Sequence, residues 1–235
     1  MAVSAAIGVP LYERLRSAIL SLDYVPGEKL TERGLETDLD ASRTPIRAAL
    51  LRLEADGLVR RTGRGWNVSP IDLTEIRALS EYREAVEAAA VRLVSERASD
   101  SDLLALDDSL GDMSEFTSEE EGIRAGSEFH ALLAQLSGNP FMAEAIRGVM
   151  TRLLRTRWLE VRTPESRQQA RDEHRAIVTA LQRRDAERAA DLVVAHNRGA
   201  TERTLSFLSD ERRRLRGRGF AIVESEPSVP HLDAI

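Results

Sequence analysis

Two groups of residues have the types and spacing that chemistry requires, and the first is the run Ser42-Arg43-Thr44-Pro45-Ile46-Arg47. If this run opens a helix, Arg43, Thr44 and Arg47 share the side away from Ile46 and Leu50, with Ser42 as the cap. A guanidinium forks onto O6 and N7 of guanine, and a threonine hydroxyl bonds a phosphate, so the start of such a helix can read a duplex. Arg52 lies further along the same helix and suits the nucleic-acid backbone. Arg33, near the start of the preceding helix, is placed to meet phosphate. Arg64 can enter a minor groove, and Gly65 beside it permits close approach. Any one of these arginines can equally be a solvated helix face; the set together makes the pattern.

The second group is His130, His174 and His196. Each shares a helical face with apolar residues, His130 with Leu133, His174 with Ile177 and Leu181, and His196 with Leu192, so each points inward. One inward histidine is ordinarily a hydrogen-bonded core residue. Three converging from separate helices make a divalent metal site, zinc or nickel, with open positions for water or a ligand. The alternative is a metal-free site whose imidazoles bond a small molecule directly. Arg83 adds a cation able to clamp a carboxylate, or else to pair with Glu87 one turn along its own helix.

The elements that must position these groups follow from periodicity and caps. Leu11, Leu15, Ile19 and Leu22 line one face of a first helix that Pro26-Gly27 ends. Thr31 caps a short second helix carrying Leu35 and Leu39. Ser42 caps a third, whose buried stripe is Ile46, Ala49, Leu50 and Leu53 and whose end is Gly57. Strand-like runs at 58–61 and 66–69 flank Thr62-Gly63-Arg64-Gly65 and predict a hairpin wing. From Asp72 onward, long Ala/Leu/Arg/Glu-rich stretches predict helices at 73–98, 101–116, 119–137, 140–161, 165–184 and 185–215. In the first of these Leu79, Tyr82, Val86, Ala89 and Leu93 are the expected apolar face.

Composition sets the frame. The net charge of −6 is unevenly spread: residues 1–70 hold 10 basic against 9 acidic residues, and the remainder 23 against 30. The acidic excess therefore belongs to the second part. Lys29 is the one lysine, so nearly every cation is an arginine. Cysteine is absent, which excludes disulfides, thiolate metal sites and cysteine nucleophiles. Apolar runs such as AVEAAAV are far shorter than the ~20 residues a membrane helix needs, and the N-terminus has no secretory pattern. A cytoplasmic protein with no membrane partner is expected. No local motif such as HExxH supplies a general base beside the histidines, so an enzyme is not expected.

The stretches LYERLRSAIL, PGEKLTE, SRTPIRAALLRLEADGLVRR and GRGWNV cover nearly all of residues 10–69 and resemble the DNA-binding domain of the GntR regulators. The resemblance implies that Arg33, Arg43, Thr44, Arg47, Arg52 and Gly65 contact DNA. It also implies a homodimer that reads a short palindromic operator in double-stranded DNA. Ala49 stands where the family often has glutamate, and Gly34 falls mid-helix. EYREAVEAA with Arg83 and Glu87, FHALLAQLSGNP at 129–140, EHRAIVTALQRRDAERA at 173–189 and His196 resemble the FCD-type ligand-binding domain of the FadR subfamily. That likeness implies a small organic-acid effector. Many such domains hold zinc or a similar ion through three histidines matching His130, His174 and His196, plus an aspartate four residues before the first. Here Gly126 stands at the aspartate position, and Glu128 points elsewhere on its helix.

The expected protein is mainly α: a winged helix-turn-helix at 1–70, an antiparallel helical bundle of about six helices at 71–216, and a flexible tail at 217–235 in which FAIV can pair as a strand. The expected function is a transcriptional regulator, commonly a repressor in this family, with effector binding in the bundle biasing the spacing of the winged domains. A regulator that senses no effector is the alternative.

Overall fold

The computed structural model describes residues 10–63, 65–111, 119–157, 159 and 162–226. The first unit contains α1 (Leu11–Leu20), β1 (Lys29–Leu30), α2 (Glu32–Leu39), α3 (Arg43–Ala55), β2 (Val59–Thr62) and β3 (Gly65–Val68). The Thr31 hydroxyl accepts from the Gly34 N–H at 3.0 Å and starts α2. Asp40, at φ 49, makes the left-handed turn between α2 and α3. Gly57, at φ +74, ends α3 and lets the Leu58 N–H return to the Leu53 carbonyl at 2.9 Å. Leu15, Ile19, Leu35, Leu39, Ile46, Leu50, Leu53 and Trp66 form its core.

The hairpin pairs Thr62 with Gly65. β1 joins the other edge of β3 through Lys29 and Asn67, giving a three-stranded sheet in the order β1-β3-β2. This third strand was not expected, because two residues carry no period. It is held by the turn at Pro26-Gly27, whose Gly27 N–H donates to the Val68 carbonyl at 3.0 Å. Leu22, expected on the face of the first helix, lies beyond its end at φ 65 and packs into a different core.

A short strand, β4 (Ile71–Asp72), leads into α4 (Leu73–Arg97), which Asp72 caps by accepting from the Thr74 N–H at 3.0 Å. There follow α5 (Asp100–Asp108), α6 (Glu119–Leu136), α7 (Pro140–Arg157), α8 (Pro164–Gln182), α9 (Ala186–Asp210) and α10 (Arg212–Gly217). Capping boxes at Ser99 and Thr163 start α5 and α8. α4 packs along α9, α9 against α8, and α6 against α7. Val91, Val94, Leu103, Leu106, Phe129, Leu133, Ile177, Leu181 and Val193 fill the space between them.

Three expectations need correction here. The helix expected at 101–116 ends at Asp108, ahead of Gly111 at φ +61, and 112–118 lie outside the described residues. The helix expected at 185–215 breaks at Glu211 into α9 and α10. In α4 the buried face is not the apolar stripe: Tyr82 is 49% exposed, whereas Ser80, Arg83, Glu87, Val91 and Val94 are buried. The bundle interior on that side is polar, and a polar interior defeats a search for hydrophobic period.

In the described part of the tail the FAIV run pairs as a strand, as its sequence allows, rather than forming a flexible end. Gly219, at φ +90, turns the chain after α10, and Phe220 and Ile222 are buried against Leu22, Val25 and Leu215. β5 (Ile222–Val223) runs parallel to β4. The Ala221 N–H donates to the Pro26 carbonyl at 2.8 Å, and the Ala221 carbonyl accepts from the Ile71 N–H at 2.9 Å. An apolar FAIV run finds both an open strand edge and a greasy seam, so it folds back. Residues 227–235 lie outside the described residues.

α7 is the other tie between the two parts. Arg155 donates to the Ser69 carbonyl just past the wing, Arg152 pairs with Glu75, and the Arg16 guanidinium reaches the Thr151 hydroxyl at 3.3 Å. A Cβ added to Gly57 would lie 2.9 Å from the Arg152 Nε.

Candidate functional site

On the first unit, α2 and α3 expose a set of polar residues. Arg33, Ser42, Arg43, Thr44, Arg47 and Arg52 are all exposed there. Burial of Ile46, Ala49 and Leu50 fixes the rotation of α3 and forces Arg43, Thr44 and Arg47 outward. Ser42 occupies the N-cap position with extended backbone, but its hydroxyl makes no capping bond. Arg43 and Arg47 leave 70% and 62% of their side chains exposed and lean on Glu36 at 3.1 Å and Glu32 at 3.9 Å. Arg52 is held differently, with its guanidinium 3.8 Å from the centre of the Tyr12 ring. Gly65 opens β3 at the wing; Arg64 lies outside the described residues. Nearby, Arg61 stacks on Trp66 at 4.7 Å.

In the bundle, α6, α8 and α9 bring His130, His174 and His196 together as expected. They are 0%, 3% and 5% exposed, and their ligand atoms lie within 4.8 Å of one another, so the three could hold a metal ion. Several polar atoms of the group are matched among themselves, although His130 Nδ1 makes no hydrogen bond. His196 Nδ1 is 2.6 Å from Glu173 Oε2, and its Nε2 is 3.2 Å from His174 Nε2. A proton on Nδ1 of His196 and one on Nε2 of His174 satisfies that chain with both rings neutral. His130 Nδ1 lies 3.2 Å from Glu87 Oε1, and its Nε2 is 2.6 Å from Arg83 Nη2. Phe129 stacks on His174 with ring centres 4.2 Å apart.

Arg83 is 2% exposed, and its Nε donates to Glu87 Oε1 at 2.9 Å, so the ion pair is formed within the site. Glu87 accepts again from Asn197 at 3.0 Å. Burial, then the Arg83 charge, holds His196 down to about 3 and His130 well below its ordinary value. Burial, then His196, does the same to His174. All three imidazoles are neutral at neutral pH.

A cleft opens onto His174 and His196 and is walled by Arg157, Arg167, Arg171 and Arg203. None of these four was singled out from sequence. A usable signal was present: Arg167, Arg171 and His174 share one face of α8, and His196, Ala200 and Arg203 share one face of α9. Arg157, the last residue of α7 and 3% exposed, reaches the place beside Gly126: a Cβ there would lie 2.7 Å from its Nη2. Glu128 lines a separate cleft between α6 and α1, away from the histidines.

Residues 9–68 match the family model of bacterial regulatory proteins of the gntR family, and residues 78–199 match the FCD domain. The Nta operon transcriptional regulator of Aminobacter aminovorans is 32% identical over 180 residues, covering 75% of this chain and 84% of its own. This chain belongs to the GntR family. As a GntR regulator with an FCD domain, it falls with the FadR subfamily, and the family is one of regulators rather than enzymes. The HTH-type transcriptional repressor RspR of Escherichia coli K12 is 25% identical to this regulator over 190 residues, covering 79% of this chain and 83% of that one. A crystal structure of a GntR regulator from Rhodococcus sp. RHA1 shares the fold with a TM-score of 0.71 at 24% identity, over 83% of this chain and 96% of that one. Among the described residues, no helix of the regulator is long and apolar enough to cross a membrane.

Proposed function

We propose that this protein is a homodimeric repressor acting in the cytoplasm, which holds a short palindromic operator until a small organic acid enters the cleft of each helical bundle. Arg33, Ser42, Arg43, Thr44, Arg47, Arg52, Arg64 and Gly65 are its DNA contacts: Arg43 and Arg47 read bases, and Arg33 and Arg52 sit on phosphates. Arg83, His130, His174 and His196 are the effector-binding group, with His174 and His196 on the wall of the cleft and Arg83 and His130 bonded to each other behind them.

The observation that carries the reading is the course of α7. Its last turn places Arg157 in the cleft, Arg155 on the Ser69 carbonyl at the end of the wing, and Arg152 against Gly57 at the end of α3. A ligand that moves the end of this helix acts on the recognition unit through the same rigid element, which is the differential contact that coupling requires. Repression is supported by two relatives that are transcriptional repressors, RspR and the galactonate operon repressor of Escherichia coli K12, the latter 29% identical over 202 residues. Dimerisation is supported by the two-fold logic of the operator and by large apolar residues left exposed on the bundle, Phe141 at 80% and Leu104 at 58%.

The test is fluorescence anisotropy with an operator selected from random duplexes, repeated across a panel of organic acids, alongside light scattering for mass. Selection of a palindrome by a dimer, with affinity shifted by an acid, is the expected result. Enrichment of no sequence, or a monomer at binding concentrations, would overturn it.

A further inference from the structure

We propose that the histidine site of this chain is a metal-free anion site, in which the Arg157 guanidinium stands where a metal and its carboxylate ligand would be and itself receives the carboxylate of the ligand. This rests on the ligand-controlled reading above and states how the ligand is held.

Three observations converge on it. First, Gly126 leaves a gap beside His174 that Arg157 fills: a Cβ at 126 would meet Arg157 Nη2 at 2.7 Å and His174 Cε1 at 3.7 Å. An aspartate could not stand there without displacing the guanidinium or pairing with it. Second, of the two nitrogens His130 could offer a metal, Nε2 faces Arg83 Nη2 at 2.6 Å and Nδ1 lies 3.2 Å from Glu87 Oε1. Arg83 is fixed in turn by Glu87 at 2.9 Å, so His130 Nε2 is already an acceptor in a made bond. The Arg83 charge is paired with Glu87, but a dication between the imidazoles would still face the Arg157 guanidinium, 3% exposed, where like charges repel more strongly than in water. Third, the cleft offers the donors that anions select. Arg157, Arg167, Arg171 and Arg203 surround it, and the small residues Gly126 and Ala200 leave room between the forks. The free space is about 30 Å³, room for about two waters, so a carboxylate head enters by displacing solvent and parting the arginines.

The test uses full-length protein stripped with EDTA and then freed of it. Zinc chloride titrated calorimetrically into the wild type should give no stoichiometric binding. Gly126→Asp should not restore it, because its carboxylate pairs with Arg157. Gly126→Asp/Arg157→Ala should bind zinc at least ~100-fold tighter than the wild type. In EDTA, succinate should raise the melting temperature and its neutral diamide, at matched ionic strength, should not. That shift should vanish in Arg157→Ala, survive in part in Arg157→Lys, and be unchanged in Arg213→Ala, an exposed arginine outside the cleft. Stoichiometric zinc in the wild type that His174→Ala abolishes, or a succinate shift that requires zinc, would overturn this inference and leave ligand control standing. No succinate shift with or without zinc would overturn both. Retention of the full shift in a folded Arg157→Ala protein would overturn the role of Arg157 alone.

Discussion

Replacing Arg47 by alanine tests the proposed base reading separately from folding. The side chain is 62% exposed, and its partner Glu32 stands at 3.9 Å, so its loss should change folding stability by less than about 0.5 kcal/mol. On the operator the accounting differs. A bidentate contact with guanine is worth about 1–3 kcal/mol, and leaving Glu32 costs at most about 1 kcal/mol. The net loss is about 1–2 kcal/mol, or a Kd weakened about 5- to 30-fold. Arg43 is held more closely, at 3.1 Å from Glu36, so Glu36→Gln should free it, remove a negative charge facing the phosphates and tighten binding a few-fold. Anisotropy against the selected operator and against a scrambled duplex, each over a range of salt, separates the terms. Arg47→Ala should weaken the operator complex while leaving the scrambled one nearly unchanged. If both fall together and the salt slope drops by about one, Arg47 touches phosphate and the assignment of bases to this turn is wrong.

Other outcomes follow from burial, backbone and charge. Leu50 is fully enclosed in the small core of the winged unit, and Leu50→Ala should cost about 2–5 kcal/mol, read by thermal unfolding. The buried imidazoles set an acid limit. His196 titrates at about 3 when folded against 6.5 unfolded, so the unfolded chain binds more protons in that window, and stability falls as pH drops below about 6.5. His196→Gln should flatten the upper part of that slope, which melting curves between pH 7 and 5 would reveal. At Gly27, φ is +90 and a Cβ would lie 2.4 Å from the Ala221 Cβ, whereas at Gly63 φ is +59 in open space. Gly27→Ala should therefore destabilise more than Gly63→Ala and expose the tail to protease. Equal effects would mean that backbone strain alone matters there.

The winged unit was legible because its signals are local. Thr31, Gly57 and the apolar spacing of α3 each act within a few residues, and once α3 is placed the arginine face follows from its rotation. The bundle was legible as helices, as three inward histidines and as the Arg83–Glu87 pair, but the arginines walling its cleft were not. The periodic stripe on α4 pointed to Tyr82 and away from Arg83 and Glu87, because the face this helix buries is partly polar. Arg157 escaped because what it meets, Gly126, is remote in sequence, and a glycine announces nothing about what occupies the space it leaves. Glu173 sits next to His174 in sequence yet bonds His196, a pairing that exists only after α8 and α9 have docked.

The strand at Ile222–Val223 has a consequence for the order in which the molecule is made. The winged unit contains its own core and can fold as soon as it leaves the ribosome, and the histidine helices follow. The linker at Ile71–Asp72, however, finds its strand partner beyond all the helices of the bundle, and the bond from Ala221 to Pro26 reaches back past them as well. A nascent protein can therefore carry a finished DNA-reading head before the clamp that ties it to the bundle exists. Removing Ile222–Val223 should therefore leave a folded winged unit that has lost part of its tie to the helical bundle.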